Sequence, residues 1–118
     1  MKRFKAVTLI LCLACMMFSA CGSGPASDDV IRIGVFESSS GENGAGGKQE
    51  VLGIEYANSL VNTVEISGKA CKLRLEIVDN ESSNDKALSA ASVLVSAKCS
   101  VVLGSYGSGV SIAAGDVF

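Results

Sequence analysis

Along residues 30–118 the hydrophobic pattern changes period repeatedly, from short β-type runs to helical spacing and back, and that alternation leaves few folds open. Val30–Phe36 is a β-type run. Ser38–Gly47 follows as a polar loop containing Gly41, Gly44, Gly46 and Gly47. From Lys48, the residues Val51, Ile54, Ala57 and Val61 recur at helical intervals, widened by Leu52, Tyr56 and Leu60. That spacing predicts a helix ending near Asn62–Val64, with a turn at Ser67–Gly68. Lys72–Val78 alternates Leu73, Leu75 and Ile77 with Lys72, Arg74 and Glu76, as a strand with one wetter face does. After a polar loop at 79–84, Asp85–Ala97 puts Ala87, Ala90, Ala91, Leu94 and Ala97 on one helical face, with Ser83 as a plausible N-cap. Ser100–Leu103 is a third strand, Gly104–Gly109 a second Gly/Ser loop, and a third helix begins at Val110. The order β-α-β-α-β-α predicts an α/β fold with a parallel sheet, helices on its faces and right-handed crossovers. A spatial order of second, first, third strand would put the second strand at an edge, which suits its alternation.

The residues before this region follow another logic. Met1–Lys5 holds Lys2, Arg3 and Lys5, Ala6–Phe18 is apolar except for Thr8, and the small residues Ser19 and Ala20 precede Cys21. This is the order of an export signal. Its apolar run of 13 residues falls short of the roughly 20 that a membrane span needs. Phe18-Ser19-Ala20-Cys21 resembles a bacterial lipobox, in which the cysteine is diacylated and becomes the new N-terminus. Two or more acyl chains hold a protein on a membrane where one does so only marginally. The expected organisation is a lipoprotein signal peptide at 1–20, a flexible tether at 21–29 and a domain at 30–118. The lipobox resemblance implies a chain anchored by lipid on Cys21 at the extracytoplasmic face of the cell membrane.

All 12 acids and seven of the ten basic residues lie after residue 20, a net charge of −5. No basic cluster or aromatic-basic interleaving is present, which argues against nucleic-acid binding. The chain has no histidine, so the commonest general base is missing. With no close cysteine spacing either, a zinc site is not expected. Cys12 and Cys15 fall in the signal, leaving Cys71 and Cys99 either as an exported disulfide or as two small buried apolar residues. They stand at the amino ends of the second and third strands. With the first strand between them they should lie about 10 Å apart, beyond the roughly 7 Å Cα limit for a disulfide.

Ile31–Phe36 followed by Ser40-Gly41 resembles the first strand and loop of type I periplasmic binding proteins, closest to the branched-chain amino acid and amide (leucine-binding) group of ABC transporters. The similarity continues through Gly53–Asn58, Ile77–Asn80, Lys86-Ala87, Leu94-Val95, Val101–Ser105 and Ser108–Ser111. The resemblance implies a non-enzymatic solute-binding protein of two lobes, whose cleft closes on the ligand by a hinge. It implies a small-molecule ligand such as an amino acid or amide, an ABC permease as partner and no cofactor. It also implies that residues 30–118 are the opening part of the first lobe, an incomplete domain that binds little alone. Ser108 matches the family serine that hydrogen-bonds the ligand carboxylate, and Tyr106 and Ser111 are further ligand-binding candidates in the same loop. Some members place an aromatic residue over the ligand where this chain has Gly46.

The residues themselves allow such a site. In open α/β sheets ligands bind beyond the carboxyl ends of the strands, here the loops at 38–47 and 105–111. Both lead into predicted helix N-termini, whose free N–H groups and positive end suit a carboxylate. Plainer roles compete: helix capping for Ser108 and Ser111, and a surface turn for Gly41–Gly47. Two other functions share the pattern. A dinucleotide-binding enzyme could use Asp79 as the acid ending its second strand, but no G-x-G-x-x-G follows the first strand. A receptor lipoprotein reporting ligand occupancy to a membrane sensor would have the same fold.

Overall fold

A computed structural model describes residues 29–118. The expected signal, Cys21 and the tether up to residue 28 lie outside the described residues. The elements are β1 (Asp29–Glu37), α1 (Gly44–Leu60), β2 (Thr63–Ile66), β3 (Lys69–Asp79), α2 (Asn84–Ser96), β4 (Val101–Leu103) and α3 (Ser108–Ala114). They build one sheet in the order β2-β3-β1-β4. β1 runs parallel to both β3 and β4, so the three parallel strands stand in the expected order.

One strand corrects the sequence reading. Thr63–Ile66, expected as the end of a helix and its approach to a turn, pairs antiparallel with β3. β2, not the second parallel strand, therefore occupies that edge. Thr63, Val64 and Ile66 are β-branched and fit a pleated surface better than a helix. α1 ends where Val61 turns extended, at φ −133°. Ser67 and Gly68 both have positive φ, 53° and 79°, the two-residue turn whose twist matches a hairpin. Other boundaries shift with it: β3 starts at Lys69, α1 already at Gly44, α3 at Ser108, and Asp29, expected in the tether, opens β1.

β1 alternates between two packed faces. Gly34 and Phe36 face α2 and α3. A Cβ on Gly34 would lie only 3.1 Å from a Leu94 methyl, so the glycine is what lets α2 close down. The core there is Phe36, Ala87, Ala90, Ala91, Leu94, Val110 and Ala114. The alanine face of α2 is the one expected from its spacing, and its small side chains bring the helix near the sheet. Phe118 sets its ring edge-on to Phe36, with centroids 5.5 Å apart at 85°. Val35 and Glu37 turn to the opposite face, toward α1. That helix buries only Gly44 and Gly47, while Leu52, Tyr56 and Leu60 stay exposed. Cys71 and Cys99 are both free thiols, in keeping with β1 lying between their strands. β4 is three residues long, and Val101 and Leu103 are exposed. A groove of about 470 Å³ runs beside it, lined by Leu94, Val101, Gly104, Ser111 and Phe118 among others. No helix among the described residues is long and apolar enough to cross a membrane.

Candidate functional site

The carboxyl ends of β1, β3 and β4 converge at one end of the sheet and are tied together by side chains. Ser38 Oγ donates to Asn80 Oδ1 at 2.6 Å, and Asn80 Nδ2 donates to Ser105 Oγ at 3.0 Å. The Ser38 and Ser105 hydroxyls are 3.4 Å apart. Ser38 and Asn80 are fully buried. Each parallel strand is followed by one member of this set, so the set fixes three loops relative to one another. Burying such groups is tolerable because they are paired; an unsatisfied one would cost about 1–3 kcal/mol.

Asp79 holds the loop after β1. Its Oδ1 accepts the N–H groups of Ser39 at 2.9 Å, Ser40 at 3.2 Å and Glu81 at 2.8 Å. Partial burial pushes its carboxyl up, but the Ser40 hydroxyl and these amides outweigh it and hold Asp79 below its ordinary value of 3.8. Ser82 adds a second tie, accepting the Asn43 N–H and donating to Ser40 O, each at 2.9 Å. Oδ1 of Asp79 is thus committed to backbone N–H groups.

The glycines of the first loop serve packing. A Cβ on Gly47 would lie 2.1 Å from Ser38 O, and one on Gly46 would lie 2.5 Å from Cζ of Tyr106. The first turn of α1 therefore rests directly on loop backbone and on the face of an aromatic ring. Neither ligand approach nor a plain surface turn, the two roles open from sequence, anticipates this contact.

All three sequence candidates for ligand contact sit on or just after the loop that follows β4. Tyr106 donates its N–H to Glu37 Oε2 at 2.9 Å, and its side chain, over Gly46, is 55% exposed. Ser108 is the exposed first residue of α3. Gly107 holds the N-cap position and no side chain caps the helix. Ser111 accepts the Ser105 N–H and donates to Gly107 O, both at 3.2 Å, so its hydroxyl braces the loop from within.

Glu37 has the least ordinary surroundings. It ends β1 and is 1% exposed. Burial pushes its carboxyl above the ordinary 4.5, the Tyr106 N–H pulls it back, and the nearby Glu50 carboxyl raises it further. Sequence reasoning gave no role to Glu37, Ser38 or Asn80. For Glu37 a signal exists: at period two it falls on the same strand face as Ile33 and Val35, where a charge is out of place.

Residues 30–118 match the family model of periplasmic binding proteins, and the chain belongs to that family, one of binding proteins and not of enzymes. Within it, the solved structures it resembles include leucine-binding ones. A leucine binding protein from Thermotoga maritima matches at 23% identity and a TM-score of 0.65, over 74% of this chain and 24% of that one. The branched-chain amino acid transporter substrate binding protein LivJ from Streptococcus pneumoniae, solved with isoleucine, matches at 28% and 0.65, over 75% and 26%. An ABC transporter solute binding protein from R. palustris, solved with benzoate, matches at 26% and 0.60, over 75% and 24%. The chain thus spans about a quarter of the length of the structures it matches. No curated protein matches it. The fold is that of part of a type I periplasmic binding protein lobe, with the antiparallel β2 added to the expected parallel strands.

Proposed function

We propose that this chain is part of an extracytoplasmic solute-binding lipoprotein that captures an amino acid or another small carboxylate for an ABC importer. The observation that carries the reading is the placement of Ser108. Ser108 is exposed at the start of α3, two residues after the exposed Tyr106, on a loop tied to the other strand ends through Ser105 and braced from within by Ser111. A hydroxyl at the start of a helix can donate to a carboxylate, and a nearby ring can cover the ligand's apolar part. Two similar structures were solved with isoleucine and with benzoate, both carboxylates. Ser111 contributes by holding the loop.

Two hydrogen bonds to a charged group, at roughly 1.5–3 kcal/mol each, sum to about 3–6 kcal/mol before the cost of ordering the loop, so affinity near millimolar, which needs about 4 kcal/mol, is expected. Titrating isoleucine and benzoate into the protein while following amide NMR shifts is expected to perturb Tyr106, Ser108 and Ser111, saturating in the millimolar range. Ser108→Ala should weaken this about tenfold. Shifts confined to other loops would refute the assignment, and micromolar binding would mean that residues 30–118 hold the whole site. The lipid anchor makes a separate expectation: intact-mass measurement of membrane-bound protein should find Cys21 acylated as the first residue. A free Cys21 thiol there would remove the anchor from the proposal.

A further inference from the structure

We propose that Asn80 is a positioning residue of the candidate site: its buried carboxamide, oriented by the Ser82 N–H, holds the Ser105 side chain and through it the loop that carries Tyr106 and Ser108. This rests on the reading of that loop as ligand-binding.

The carboxamide is fixed from every side. Asn80 directly follows β3 and is fully buried. Its backbone N–H donates to Glu37 O at 3.0 Å, and its own carbonyl accepts the Ser83 N–H at 3.0 Å. One end of the side chain is approached by the Ser82 N–H at 3.1 Å and by the Ser38 hydroxyl at 2.6 Å. A backbone N–H can only donate, so the atom that receives it is the carboxamide oxygen. The rest follows from that one donor. Ser38 faces an acceptor and must donate. Nδ2 faces Ser105 Oγ at 3.0 Å and can only donate, so Ser105 accepts. The Gly107 N–H also points at Ser105 Oγ, at 3.4 Å. With its oxygen receiving N–H groups, the Ser105 hydroxyl proton is left to turn toward Ser38 Oγ, 3.4 Å away, whose own proton is committed to Asn80. The three side chains thus form a ring in which each donates to the next, an arrangement whose members polarise one another in one sense.

Ser105 is where this ring meets the site. The backbone of the loop is held by other bonds: the Ser105 N–H goes to Ser111 Oγ and the Tyr106 N–H to Glu37 Oε2. Asn80 restrains the Ser105 side chain, which neither of those bonds does. Ser108 opens α3 three residues further on. Losing the grip on Ser105 therefore frees the start of the loop relative to β3 while leaving Tyr106 and Ser108 themselves unchanged.

NMR on the intact chain tests this with isoleucine and benzoate as probes. Ser105→Ala removes the acceptor, so the Asn80 side-chain amide protons should move and exchange faster with water. The same variant should displace the Tyr106 and Ser108 amides and weaken binding of either probe about fivefold, the worth of one uncharged hydrogen bond. Ser105→Thr keeps a hydroxyl and should restore both. Asn80→Ala should weaken binding by a similar factor, and the double variant by no more than Asn80→Ala alone, because both act through one link. Parent affinity in Ser105→Ala would overturn the proposal, as would Asn80 side-chain amide signals unmoved in that variant, or losses that multiply in the double variant. Should Asn80→Ala fail to fold, Ser105→Ala and Ser105→Thr decide the matter. If neither probe moves Tyr106 or Ser108 in the parent, the ligand reading falls by itself. The hold of Asn80 on the loop then stands if Ser105→Ala displaces the Tyr106 and Ser108 amides, and falls if they keep their parent positions.

Discussion

Gly104→Ala is expected to destabilise the protein by about 2–6 kcal/mol, the sum of a strained backbone of about 1–3 and an overpacked contact of about 1–3 kcal/mol. Both costs come from one place. Gly104 has φ +121°, a conformation that side chains rarely adopt, and an added Cβ would sit 2.1 Å from the Phe36 carbonyl oxygen and 2.7 Å from Glu37 Oε1. Phe36 belongs to the core and is 1% exposed, so the strand cannot move aside without opening it. Because small domains hold about 5–15 kcal/mol in all, such a loss should appear as a large drop in the urea midpoint followed by circular dichroism. A midpoint within error of the parent would mean that the loop after β4 does not close on β1 as described.

Asp79→Ala should cost about 2 kcal/mol. The substitution strands three backbone donors, those of Ser39, Ser40 and Glu81. A hydrogen bond to a charged acceptor is worth roughly 1.5–3 kcal/mol. Asp79 is exposed, so solvent replaces much of what is lost and the three do not add in full. The effect carries a pH signature. The folded carboxyl titrates below its ordinary 3.8, so its contribution is complete above that value and disappears as pH falls through the folded one. The parent should therefore lose stability on acidification over that window more steeply than Asp79→Ala. Urea midpoints measured at neutral pH and at successively lower pH give both numbers, and parallel pH profiles for the two proteins would exclude the assigned role.

Much of this architecture was legible because the apolar residues keep time. The three parallel strands and the alanine face of α2 follow directly from their periods. β2 was hidden for the same reason, since Val61 and Val64 prolong the helical spacing of α1 beyond its end at Leu60. The Ser67-Gly68 turn was visible, but it stood after a run of only four residues. At the site, the strand-end rule located the loops, and the family resemblance singled out Ser108 with Tyr106 and Ser111 in the same loop. Neither could find the links among Ser38, Asn80 and Ser105, which lie 42 and 25 residues apart and meet only once strand register is set. Glycine was legible as a type but not as a role: Gly46 and Gly47 are required by what approaches them, Tyr106 and Ser38, and neither neighbour is local.

The β2–β3 hairpin bears on how a chain made from one end assembles. β1 is synthesised first, yet its partner Cys71 follows Asp29 by 42 residues, and β4 comes later still. The hairpin needs only its own neighbours: Ile66 pairs with Lys69 across a two-residue turn. Closing so short a loop takes microseconds, whereas distant pairings must first meet the entropy of closing a long one. β3 is therefore expected to reach β1 with one side already taken by β2. An arriving strand with a single vacant side offers β1 one lateral position, which removes the mis-ordered sheet with β1 outside β2 before it can form.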